Sequence, residues 1–74
     1  MKILRNESIL TSLASNVKKH RKQVGLSQEE LAFQCDIDRT YISKVERGVA
    51  NPSLLILVKI AEMLNVRIED LVKK

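Results

Sequence analysis

Cysteine is nearly absent from this 74-residue chain: Cys35 stands alone, so no disulfide can form within it. Histidine is equally rare, and with His20 as the single example the chain lacks the clustered Cys and His spacing that a zinc site requires. The expectation is therefore no metal, no cofactor, and a reducing cytoplasm as the natural location. His20 reads as a packed or surface histidine, having neither Cys nor carboxylate partners at ligand spacing. Aromatic residues are scarce as well. Tyr41 and Phe33 are the only two, so the core has to be built from Leu, Ile, Val and Ala, which favours packed helices over a β-sandwich. No stretch approaches the roughly 18 to 20 consecutive apolar residues needed to span a bilayer, and the first residues lack the apolar run of a signal peptide. No membrane partner is expected. One His, one Cys and no glycine-rich phosphate loop leave no catalytic constellation, which argues against an enzyme.

What is present suits one small domain over residues 1–74. A core of that size is marginal unless helices pack economically or a second copy contributes surface. Thirteen Lys and Arg against nine Asp and Glu give a formal charge of +4. That balance favours a polyanion without identifying one. Lys18, Lys19, Arg21 and Lys22 supply +4 within five residues, a run that reads either as a nucleic-acid attractor or as a solvated helix face.

Ile9, Leu10, Leu13, Val17 and Val24 recur at helical spacing and predict a first amphipathic helix over 8–24, ended by Gly25. Ser27 with Glu30 three residues on is a capping box, so a second helix starts at Gln28, buries Leu31, Ala32 and Cys35, and stops near Asp36. Asp38 then caps a third helix over 39–47. Ile42 and Val45 face its inner side, Gly48 stops it, and Arg39, Thr40, Ser43 and Lys44 are left outside. Two short helices joined by a tight turn make a helix-turn-helix, here over about residues 27–48. Asn51, Pro52 and Ser53 open a fourth helix to about Leu64, and Val66 to Val72 forms a last short one. There are no strand-like alternating stretches.

The stretch LSQEELAFQCDIDRTYISKVERG from Leu26 to Gly48, with the following NPS and the helix LLILVKIAEML, resembles the Cro and phage-repressor type of helix-turn-helix regulator, often called the XRE family. The likeness covers about residues 13–72. It implies an all-α, compact five-helix, lambda-repressor-like DNA-binding domain that dimerises on palindromic operators. The DRTYIS and ERG-x-x-NPS wording is also similar to the small controller proteins of restriction-modification systems. The resemblance further implies a charged pair between Arg21 and Glu46, linking the first helix to the end of the third. It places a backbone clamp at Gln28. His20 departs from the family pattern, which commonly has an apolar residue there.

Physical chemistry gives the outer residues of the third helix distinct roles on DNA. The Arg39 guanidinium can donate two parallel hydrogen bonds to guanine, making it the first choice for base readout, with a phosphate contact or plain solvation as the alternatives. Thr40 and Ser43 offer hydroxyls on the same face and are base-contact candidates that could equally be surface residues. Lys44 suits a phosphate, because a flexible ammonium specifies geometry poorly. Gln28 sits where the positive end of a helix favours a phosphate. Tyr41 can reach a phosphate through its hydroxyl with its ring packed on the domain, or serve packing alone. Asn51 lies in a loop that could touch the next phosphate.

In the fourth helix Leu54, Leu57, Val58, Ala61 and Leu64 form the expected core stripe. Leu55, Ile56 and Met63 are then surplus and point to a twofold partner, a homodimer joined over about residues 53–72 that Ile68, Leu71 and Val72 would extend. The alternative is that Ile3, Leu4, Ile9 and Leu10 fold back over those same residues. A second class of function, an antitoxin that neutralises a toxin protein and binds its own promoter, shares the family. Few residues lie outside the five helices to hold a toxin, which favours a DNA regulator. An activator would in addition touch RNA polymerase, and Glu29, Glu30 and Asp36 are available for that surface, although solubility accounts for them equally well.

Overall fold

The computed structural model describes residues 6–74, with side chains from Ile9 onward. Five helices follow one another: α1 (Asn6–Gln23), α2 (Gln28–Cys35), α3 (Arg39–Glu46), α4 (Leu54–Leu64) and α5 (Ile68–Val72). No strand occurs among the described residues.

Short helices need their ends satisfied, and this chain does so by one repeated device. Gly25, Asp36, Gly48 and Asn65 all take left-handed backbone, at φ 78°, 56°, 77° and 57°. After each comes an apolar residue whose N–H reaches back five positions: Leu26 to Arg21, Ile37 to Ala32, Val49 to Lys44 and Val66 to Ala61, all at 2.9–3.1 Å. The paired bonds satisfy the orphan carbonyls of the last turn and turn the chain sharply. Two of the four stops are glycines and readable in the sequence. The others are Asp and Asn, the non-glycine residues that best tolerate this conformation.

The helix starts are capped by side chains. The Ser27 hydroxyl accepts from the Glu30 N–H at 3.0 Å while the Glu30 carboxylate accepts from the Ser27 N–H at 2.8 Å. Asp38 accepts from the Thr40 N–H at 2.8 Å, and Ser53 from the Ile56 N–H at 3.3 Å. At five residues α5 is too short to persist alone. Asn16 of α1 holds it: its side-chain amide, buried, donates to the carbonyls of Leu71 at 3.1 Å and Lys73 at 2.7 Å.

The core joins Leu13 and Val17 of α1, Leu31, Ala32 and Cys35 of α2, Ile42 and Val45 of α3, Ile60, Ala61 and Leu64 of α4, and Leu71 of α5. α1 lies against α3 and α5, while α2 bridges α3 and α4. The α4 stripe corrects the sequence expectation. Ile60 is fully buried, Leu57 and Val58 are half-buried, and Leu54, expected inside, is 65% exposed. The buried face is centred on Ile60, Ala61 and Leu64 in the later turns, and Leu54 is exposed beside Leu55 in the first turn. Leu71, expected to extend a partner contact, is instead wholly buried in its own core.

Candidate nucleic-acid interface

At about 100° per residue, Ile42 and Val45 set the inner side of α3, and Thr40 and Arg47 then point directly away from it. Ser43 and Lys44 lie between those two directions, and Arg39 stands at the margin toward α2. Arg39, Thr40, Lys44 and Arg47 are exposed, and Ser43 is half-buried. Arg47 was not singled out from the sequence, where it reads as part of a stop signal. The signal that finds it is the helical wheel: the residue seven positions after Thr40 falls on the same face.

One acid belongs to α3, and it is turned inward. The Glu46 side chain is 2% exposed and is gripped by Arg21, whose Nε donates at 2.6 Å and whose Nη2 donates at 3.0 Å. The third arm of the guanidinium, Nη1, donates to the Leu26 carbonyl at 2.7 Å. Gln28 adds its own amide to Glu46 at 3.0 Å. The Arg21–Glu46 pair thus ties together α1, the turn before α2, the start of α2 and the end of α3. Bidentate, charge-assisted geometry makes this a strong connection. The hydrogen bonds to Glu46 raise the Arg21 pKa above its ordinary value, burial works against them, and the attraction of the carboxylate adds to the rise. With Glu46 neutralised inside, the outer face of α3 carries Arg39, Lys44 and Arg47 and no acid.

The second part of the site is the start of α2. Gln28 is half-buried and spends its side-chain nitrogen on Glu46, while the first-turn amides of a helix have no carbonyl partner within it. Ser27, Gln28, Glu29 and Arg39 line one shallow open recess, so Gln28 and Arg39, eleven positions apart, are brought together. Tyr41 is half-buried against the core. Asn51 is exposed in the loop after Gly48, with Ala50 and Pro52 buried on either side of it. On α1, Lys18, Lys19 and Lys22 are exposed, in contrast to Arg21. His20 is half-buried, its Nδ1 sharing a hydrogen bond with the side-chain Oε1 of Gln23 at 3.1 Å, and its Nε2 is buried without a partner among the described residues.

The apolar residues set aside for a partner are not alike. Leu55 is 77% exposed and Met63 39%, whereas Ile56 and Ile68 are half-buried and pack against the core of their own chain. Leu54, Val49 and Val72 join the exposed set. Leu10 packs on the core beside the turn at Gly48, where a Cβ would stand 3.7 Å from the Leu10 carbonyl oxygen, and Ile9 is exposed. Ile3 and Leu4 lie outside the described residues.

A short exposed basic helix, set on a second helix across a tight turn and locked to the rest by a buried ion pair, defines a helix-turn-helix protein. Comparison with known proteins agrees: residues 17–71 match the helix-turn-helix family HTH_3, and the chain belongs to that family, a DNA-binding and non-enzymatic class of regulator. The control protein C.BamHI of Bacillus amyloliquefaciens is 54% identical over 46 residues, covering 62% of this chain and 57% of that protein. The crystal structure of the restriction-modification controller protein C.AhdI from Aeromonas hydrophila is similar at a TM-score of 0.80 and 39% identity, covering 84% of this chain and 94% of the other. That of the hypothetical transcription factor NHTF from Neisseria gives a TM-score of 0.86 and 38% identity, covering 99% and 84%. No helix among the described residues is long and apolar enough to cross a membrane.

Proposed function

We propose that this DNA-binding transcription regulator acts as a homodimer on a near-palindromic operator, as a controller of a restriction-modification system. The observation that carries the reading is the outer face of α3, which presents Arg39, Thr40, Ser43, Lys44 and Arg47 while the helix's own acid, Glu46, is held inside by Arg21. Such a helix fits the major groove with its N-terminal end toward the bases. Arg39 reads a guanine, Thr40 and Ser43 approach neighbouring base edges, and Lys44, Arg47, Tyr41 and Asn51 hold phosphates. The amide end of α2 at Gln28 takes a further phosphate. Lys18, Lys19 and Lys22 add long-range attraction.

The similarity to controller proteins supports the restriction-modification setting. The exposed Leu55 and Met63 support a twofold contact through α4, with Leu54 and the outer flanks of Ile56 and Ile68 contributing. The two recognition helices would then sit about 34 Å apart, one turn of duplex. A reader of DNA works where the chromosome is, in the cytoplasm, and an activating role would bring it against RNA polymerase.

Selection of bound sequences from a random duplex library near physiological salt tests this. A motif of two half-sites one helical turn apart is expected. Arg39→Ala should then lower affinity by about 1 to 3 kcal/mol and relax preference at one symmetric pair of positions. Recovery of no motif would refute operator recognition.

A further inference from the structure

Two polar residues of α1 border α5. Asn16 is 9% exposed, and its side-chain amide donates to the Leu71 carbonyl at 3.1 Å and to the Lys73 carbonyl at 2.7 Å. His20 lies one turn further along α1, half-buried and within electrostatic reach of Asp70 on α5. Its Nε2 is buried without a hydrogen-bond partner among the described residues. A buried nitrogen left unsatisfied weakens the contact it belongs to, so the Asn16 bonds carry the polar part of this attachment.

The apolar part rests on one residue. Leu71 is wholly buried, Ile68 and Asp70 are half-buried, and Glu69 and Val72 are exposed. Apolar contact is non-directional, so a five-residue helix on a single such anchor is free to turn about its axis and to slide. Hydrogen bonds are directional. By reaching two carbonyls at the C-terminal end, Asn16 fixes both the angle and the depth at which α5 lies. At 100° per residue Asp70 and Val72 stand on opposite flanks of this helix, with Ile68 beside Val72. With Asp70 toward His20, the flank of Ile68 and Val72 is turned away from that side of α1. Val72 is left 38% exposed.

We propose that Asn16 is a positioning residue for dimerisation. Held from α1, the short α5 presents Ile68 and Val72 at the angle that a second copy of this chain packs against, adding that flank to the contact made by Leu55 and Met63 of α4. A twofold axis brings the same apolar flank of the second copy onto it, which suits a surface without charge. Asn16 thereby sets how firmly two DNA-reading faces are joined, although it sits in the α1–α5 seam and belongs to neither α2 nor α3. The proposal rests on the reading of α4 as the twofold contact.

The test compares the full chain with Asn16→Leu and Asn16→Ala, of which the first keeps the size and neither can donate. Sedimentation equilibrium should show the dimer dissociation constant raised about tenfold in each. A duplex of about 12 base pairs, too short for two half-sites one helical turn apart, reads a single copy, and affinity for it at low salt should be unchanged. With Leu55→Asp already in place, adding Asn16→Leu should leave affinity for a duplex of about 30 base pairs where Leu55→Asp alone puts it. A dimer constant equal to the parent's in both variants would overturn the proposal. So would a matching loss on the short duplex, which would make Asn16 a residue of the fold as a whole. A parent that sediments as a monomer at every concentration would overturn the twofold reading itself, and the proposal with it.

Discussion

The α2–α3 unit and the α4–α5 unit solve the problem of holding short helices in different ways. In the first, the ends are fixed by polar side chains close in sequence, Ser27, Glu30 and Asp38, and the two helices are then bolted to α1 by Arg21 and Glu46. In the second, Ser53 and Asp70 also cap the helix starts, but no buried ion pair bolts these helices to α1, and the short α5 depends on Asn16, 55 residues from the carbonyl it binds. Local polar signals specify a backbone path strongly. Apolar stripes specify only that something must cover them. The difference explains why one unit presents a defined polar face while the other leaves Leu54, Leu55 and Met63 exposed.

The largest effect should come from removing the bolt. Glu46→Ala leaves the Arg21 guanidinium inside with one carbonyl as its partner, at a cost approaching 3 to 5 kcal/mol if the site stays dry. Urea denaturation measures this. Replacing both partners by apolar residues of similar size should recover most of the loss, and an unchanged midpoint for Glu46→Ala would show that caps alone hold the unit together.

Next is the α4 face. Leu55→Asp should give a monomer in sedimentation and, by losing the linkage of two half-sites, weaken operator binding by on the order of a hundredfold. Its folding stability should change little, because Leu55 is outside the core. A mass and affinity equal to the parent's would reject this face as the dimer contact.

A smaller change is expected for Arg47→Gln. A phosphate contact carries no sequence information, so binding should weaken several-fold on every duplex, and the slope of log affinity against log salt should fall by about one. Loss confined to one base position would instead make Arg47 a base reader.

The caps should contribute least individually. Ser27→Ala should cost about 1 kcal/mol. Backbone and side-chain hydrogen bonds hold the Glu30 and Asp38 carboxyls below the usual carboxylate range, those from Ser27 for Glu30 and from Thr40 for Asp38. A carboxyl lowered in the folded state stabilises fully above its unfolded pKa and loses that contribution as pH falls through its folded pKa. Acid titration should therefore loosen α2 and α3 ahead of α4, whose cap is the uncharged Ser53. Amide exchange at decreasing pH reads the order directly.

The helix order, the starts at Gln28 and Arg39 and the turn that sets α3 apart were legible because capping side chains and glycine stops act within a few residues of where they stand. The roles of Arg21 and Glu46 were accessible through family resemblance alone, since 25 positions separate the two residues. The core register of α4 was missed. Its nine apolar side chains exceed what one face can take, so Leu54 and Ile60 could not be sorted without the helices that pack against them. Ile56 and Ile68 proved partly committed to their own core for the same reason.

The sequence by itself determined that this protein is all helical, where its second and third helices begin and end, and that a basic, hydroxyl-bearing face crosses Arg39 to Lys44. Capping, glycine conformation and helical periodicity are properties of a few neighbouring residues. Only the tertiary structure decided that Glu46 turns inward, that Asn16 closes α5, and that Ile60 replaces Leu54 in the core. Those outcomes depend on which surfaces meet across distant segments, and an apolar or charged residue carries no record of its partner until the chain has folded.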